Sequence, residues 1–236
     1  MATDTFHQII NKCTKFIIWG KKNQNLMKKQ NFALTANAVL IILEIIGTAI
    51  SLSDGGLVNF IWYTVLSNVF AMAVSICYCV QAVKYKKIPE WIASLRFGAS
   101  VCLLVTFLIV VFVLVPMSLP YGTAAKVLYQ GSQIYHHILC PLISVCSFLF
   151  LEKSPKKGLH SIIKAALPTF IYAIVLTVLN LLKIVHGPYP FLYVYEQPWY
   201  LSVFWFLVIP ALALGIAIVL LKITEKMKKS TTFELD

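Results

Sequence analysis

The chain has 236 residues, of which 59% are hydrophobic and 12% charged, with a mean hydropathy of +0.81. A soluble domain carries roughly 45–50% apolar and about 25% charged residues, so this composition excludes a soluble globular fold and points to an integral membrane protein. The net charge of +11 is scattered between apolar segments rather than gathered in one patch, which argues against nucleic acid as a partner.

Residues 1–30 form a lysine-bearing N-terminal segment. Within it, 5–19 reads as an amphipathic helix lying on a membrane surface: Phe6, Ile9, Ile10, Cys13 and Ile17 share one face, and Lys12 and Lys15 turn toward the other. Asp4 and its polar neighbours do not resemble the basic, then apolar, start of a secretory signal. Residues 31–225 hold six apolar stretches, at about 32–53, 58–83, 95–117, 130–151, 161–186 and 199–222, each near the ~20 residues a helix needs to cross a bilayer. The expected fold is therefore all-α: a six-transmembrane-helix bundle, followed by a polar tail over 226–236.

Lysine and arginine set the expected orientation. Lys28 and Lys29 precede the first stretch, and Lys84, Lys86, Lys87 and Arg96 separate the second from the third. Lys153, Lys156, Lys157 and Lys164 separate the fourth from the fifth, and Lys222 and Lys226 follow the sixth. The opposite side carries only Lys126 and Lys183, which puts both termini in the cytoplasm.

That orientation assigns depth to the polar residues inside the spans. Thr64 and His136 each stand about six residues in from the same side, or roughly 9 Å at 1.5 Å per residue, and can face each other. Glu44 and Asn180 fall at the same level. Thr64, Ser67 and Asn68 share one helix face, as do Asn37, Glu44, Thr48 and Ser51. His136 and His137 are about 100° apart on an α-helix and are expected to point at different places. Ionisable groups at this depth are candidates for function, although each could equally hold helices together. Glu44 is the one carboxylate inside a span and needs a partner there, whether as glue, as an orienter of a histidine or as a proton carrier.

The cysteines lie mostly in apolar stretches with no CxxC, and read as small buried hydrophobes. His136 and Cys140 supply two ligands where zinc needs at least three from the protein, so neither a metal nor another cofactor is expected. The aromatic, proline-rich segment HGPYPFLYVYEQPWY, from His186 to Tyr200, reads as an interfacial anchor or a lid over a pocket.

Three segments together carry a family resemblance: WYTVLSN at 62–68, YHHILCPLISVCSFLFLEK at 135–153, and HGPYPFL at 186–192. In order and spacing they resemble the androgen-induced protein family of six-span membrane proteins, and WYTVLSN is nearest to its bacterial members, which implies a bacterial plasma membrane as the location. The resemblance implies a threonine hydrolase that cleaves fatty-acid esters of hydroxy fatty acids or similar lipid esters. Its nucleophile would fall on Thr64 and its histidine on His136, five residues before Pro141; a register slip of one would choose His137.

Chemistry agrees with that assignment. A threonine hydroxyl needs a base to become nucleophilic, and a histidine facing it at equal depth can serve. Asn68 or Asn180 could donate to an oxyanion. No GxSxG elbow of a soluble serine hydrolase is present. The competing reading is a non-catalytic protein that binds or transports a lipid or small solute through the same polar layer; a packing role for that layer is the third. Membrane lipids are the expected partners in each case.

Overall fold

The computed structural model describes the backbone of residues 2–233 and the side chains of residues 27–227. The amphipathic faces expected over 5–19 lie outside the described side chains. In chain order come α1 (Ala2–Gly55), a 3-10 turn (Gly56–Ile61), α2 (Tyr63–Lys84) and α3 (Glu90–Ile109). α3 passes through a π turn (Val110–Leu114) into the short α4 (Val115–Ser118), followed by a 3-10 turn (Leu119–Tyr121) and α5 (Ala124–Tyr129). A second π turn (Ile134–Leu139) leads into α6 (Cys140–Phe150), then α7 (Leu159–Leu181), a 3-10 turn (Pro190–Leu192) and α8 (Trp199–Phe233). No strand occurs among the described residues. The all-α expectation holds for a physical reason: inside a bilayer a helix satisfies its own backbone.

Among the described residues, five stretches are long and apolar enough to cross a membrane: Met27–Ile61, Tyr63–Lys84, Glu90–Tyr121, Leu159–Leu181 and Trp199–Met227. Ile134–Phe150 is apolar but shorter. It falls short of the expected 130–151 because Gly131, at φ 61°, holds the chain in a turn just before the helix begins. The second stretch likewise starts at Tyr63 rather than 58, after the 3-10 turn.

α3 is the central helix and packs against α2, α6, α7 and α8. Small residues allow the close approach: Ala165 and Ala166 of α7 and Ala213 and Ala217 of α8 are fully buried against Phe97, Val101 and Phe148. Large aliphatic side chains such as Ile42, Val80, Ile171 and Val219 project outward, as a lipid-facing surface requires.

Arg96, the chain's single arginine, is not a loop charge but is wholly buried. Its guanidinium holds Glu152 through Nε at 2.9 Å to Oε2 and Nη2 at 2.9 Å to Oε1, and also donates to Ser75 and Ser144. Ser147 and Asn37 donate to the same carboxylate at 2.7 and 3.0 Å. One ion pair thus clamps α1, α2, α3 and the end of α6 at the lysine-rich end of the bundle. Its forked, multiply bonded geometry is what a buried ion pair needs to offset its desolvation.

Candidate functional site

At the opposite end a cavity of about 320 Å³ opens between α1, α2, the α5–α6 segment and the 186–192 loop. Thr64, His136 and His137 all line it, together with Tyr189. Thr64 is the second residue of α2, directly after Trp62, whose extended backbone (φ −76°, ψ 129°) turns the chain into the helix. It is 7% exposed.

The shared helix face expected for Thr64, Ser67 and Asn68 is present, and the three side chains have separate tasks. Ser67 Oγ donates to the Thr64 carbonyl and pairs with Thr106 Oγ1 of α3, both at 3.0 Å. Asn68 Nδ2 donates to the carbonyls of Thr64 at 2.7 Å and His136 at 3.3 Å. Asn68 therefore ties the Thr64 turn to the histidine turn, and its two donors are engaged there rather than aimed at an oxyanion.

Both histidines reach one cavity, contrary to the expectation from α-helical geometry. They lie in the π turn Ile134–Leu139, whose wider turn brings successive side chains closer together around the axis. His137 Nδ1 lies 2.6 Å from the Val127 carbonyl, so Nδ1 carries the proton and Nε2 keeps a lone pair. His136 is 1% exposed, and its Nε2 faces Glu44 Oε2 at 3.8 Å, beyond hydrogen-bond reach.

Glu44 is fully buried and neither of its oxygens has a hydrogen-bond partner; the Cys140 thiol, a weak donor, lies against it without hydrogen-bond geometry. Gly47, one turn along α1, makes room for the imidazole: a Cβ there would stand 2.8 Å from His136 Nε2. Thr48 Oγ1 is also buried without a partner, and Ser51 is bonded to Asn59, so the α1 stripe faces inward as expected. Asn37, at its far end, belongs instead to the Arg96–Glu152 clamp.

Tyr189 is the residue that sequence reasoning passed over. Its hydroxyl sits 3.2 Å from Thr64 Oγ1 and accepts from the Thr64 backbone N–H at 3.3 Å. Burial pushes the Tyr189 phenol up, partly offset by its bonds to Thr64, so it remains a donor at neutral pH. Phe191 stacks on its ring at 5.0 Å and Trp62 meets it edge-on at 5.0 Å. The segment after α7 thus tucks Tyr189, Phe191 and Leu192 into the bundle.

Asn180 holds this segment in place and does not face the cavity. Its side chain accepts from Gly187 N at 2.9 Å and donates to Gly187 O at 2.7 Å. The only sequence signal for Tyr189 was the aromatic density of the loop and its place in the third resemblance segment.

The described residues contain no group of three or more His, Cys, Asp and Glu able to hold a metal ion. No hydrogen bond joins Thr64 Oγ1 to either imidazole; the threonine, its tyrosine and the two histidines share walls of one cavity. Comparison with protein-family models, curated proteins and solved structures returns no match to this chain.

Proposed function

We propose that this integral membrane protein crosses the bilayer six times with both termini on the lysine-rich, cytoplasmic side, and that it hydrolyses lipid esters with Thr64 as nucleophile. The observation that carries this reading is the convergence of Thr64, His136 and His137 on one cavity, with the Tyr189 hydroxyl against Thr64 Oγ1. One imidazole takes the Thr64 proton as Oγ1 attacks the ester carbonyl; His136, with Glu44 behind it, is the first choice. The alcohol leaves with that proton, and water releases the acyl group by the same sequence. Tyr189, rather than Asn68 or Asn180, is the donor placed to steady the oxyanion.

The test is hydrolysis of a long-chain lipid ester by the purified protein. Thr64→Ala and His136→Ala should abolish turnover, and Thr64→Ser should restore part of it, with thermal unfolding unchanged. Turnover that persists in both alanine variants would overturn the assignment.

A second reading has its own observation. Glu44 and His136 face each other with no hydrogen bond between them and none to Glu44 from elsewhere, which suits a proton carrier in a binding or transport protein.

A further inference from the structure

A groove of about 1010 Å³ lies on the outside of the bundle between α2, α3 and α7, apart from the cavity beside Thr64. Helical spacing builds it. Ser94, Gly98 and Cys102 stand four residues apart on α3 and give it a floor of small side chains. Leu167, Ile171 and Val175 stand at the same spacing on α7 and form one wall; Leu66 and Phe70 of α2 form the other. The three α7 side chains are apolar and exposed, as contact with lipid requires.

The two ends of the groove differ. Tyr63 and Tyr172 close the far end, with ring centroids 5.0 Å apart. Their hydroxyls are engaged elsewhere: Tyr63 pairs with Thr169 Oγ1 at 2.7 Å, and Tyr172 donates to the Ile61 carbonyl at 2.8 Å. Glu90, Trp91, Ser94 and Lys164 line the lysine-rich end. The Glu90 carboxylate is already answered, by Lys153 Nζ at 3.4 Å and by the Lys156 backbone N–H. Lys164 is exposed and has no acidic partner among the described residues. The mouth thus carries an uncompensated positive charge beside an exposed indole, a pairing suited to a membrane–water interface. From Lys164 to Val175 the helix rises roughly 16 Å at 1.5 Å per residue, about the depth of one leaflet of a ~30 Å hydrocarbon core.

We infer that this groove holds one anionic phospholipid of the lysine-rich leaflet, with an acyl chain along the α3 floor and the headgroup phosphate at Lys164. The blind end at the tyrosine pair fits a chain that ends at mid-bilayer. A basic pocket between helices favours an anionic headgroup, whereas a zwitterionic one brings its own cation toward Lys164. The site is separate from the hydrolase reading and stands or falls without it.

The experiment is native mass spectrometry of the full chain, released from detergent after incubation with an equimolar mixture of dioleoyl phosphatidylglycerol and dioleoyl phosphatidylcholine. One phosphatidylglycerol should be retained per chain, at least about fivefold over phosphatidylcholine, the scale of one lysine beside an anionic lipid surface. Lys164→Gln should bring that ratio close to one. Lys222→Gln, an exposed lysine on α8 outside the groove, should leave it unchanged. Ser94→Phe, which fills the floor, should lower retention of both lipids, with thermal unfolding confirming that each variant is folded. Equal retention of the two lipids by the wild type would overturn the inference. So would a preference for phosphatidylglycerol that Lys164→Gln leaves intact, since the charge would then be spread over the whole lysine-rich end. A lipid-free dimer in the same spectra would give the groove to a second copy of the chain and overturn it as well.

Discussion

At the lysine-rich end of the bundle, Arg96 and Glu152 are buried with almost every polar atom bonded; at the other end, Glu44, Asn68 and His136 are equally buried, with the half-buried Thr48 beside them, and their bonding is left incomplete. Six buried side-chain atoms among the described residues lack a hydrogen-bond partner, and five of them belong to that second group; the sixth is Asn37 Oδ1, in the clamp. Burying a polar atom without a partner is costly. Satisfied polarity at one end reads as a structural clamp, and unsatisfied polarity at the other as a site kept ready for a ligand or a proton. The difference between the two ends lies in how completely their buried polar groups are bonded, not in burial itself.

The largest expected effect is at the clamp. Arg96→Ala leaves the Glu152 carboxylate buried and unpaired, and should cost about 3–5 kcal/mol of stability. Thermal unfolding in detergent would read this as a lowered Tm, with a smaller loss in the Arg96→Met, Glu152→Leu double variant. Equal losses in the single and double variants would mean that the pair is not the clamp described.

At the incomplete end the sign should reverse. Glu44→Leu removes two unsatisfied buried oxygens and should raise stability by about 1–3 kcal/mol while abolishing activity. A drop in Tm would show that Glu44 is structural glue after all. Gly47→Ala should crowd the imidazole and push the π turn away from α1, because its Cβ would stand 2.8 Å from His136 Nε2 and 2.9 Å from Tyr135 Cβ. Turnover should fall by roughly 10²-fold or more, the scale of a lost general base. The smallest effect belongs to Tyr189→Phe, which deletes one hydroxyl from Thr64. It should slow turnover about 10- to 10²-fold, in line with roughly 1.5–3 kcal/mol for a hydrogen bond to a charged group. An unchanged rate would remove Tyr189 from the chemistry.

Much of this was legible in the sequence because it depends on spacing along one helix. The inward stripe of Asn37, Glu44, Thr48 and Ser51 and the shared face of Thr64, Ser67 and Asn68 follow from helical period alone. The common level of Thr64 and the histidines came from counting residues inward from one side, and the three line one cavity even though both helices begin later than expected, since both boundaries moved in the same direction.

What was not legible depends on contacts between distant residues or on local departures from the α-helix. Arg96 looked like one more basic loop residue because its partner lies 56 positions away. The π turn that brings His137 into the cavity has no simple sequence signature, and helical spacing placed the ring elsewhere. Tyr189 sits in a loop, where periodicity says nothing about direction. Gly47 was unremarkable until the histidine ring was seen against it.

The central claim is that Thr64 is an activated nucleophile, and covalent trapping tests it most directly. The purified protein is treated with a fluorophosphonate probe and the modified peptide is mapped by mass spectrometry, beside Thr64→Ala and His136→Ala. The expected result is one adduct, on Thr64, absent from both variants. A folded wild-type protein that takes no label, or that is labelled at another residue, would contradict it.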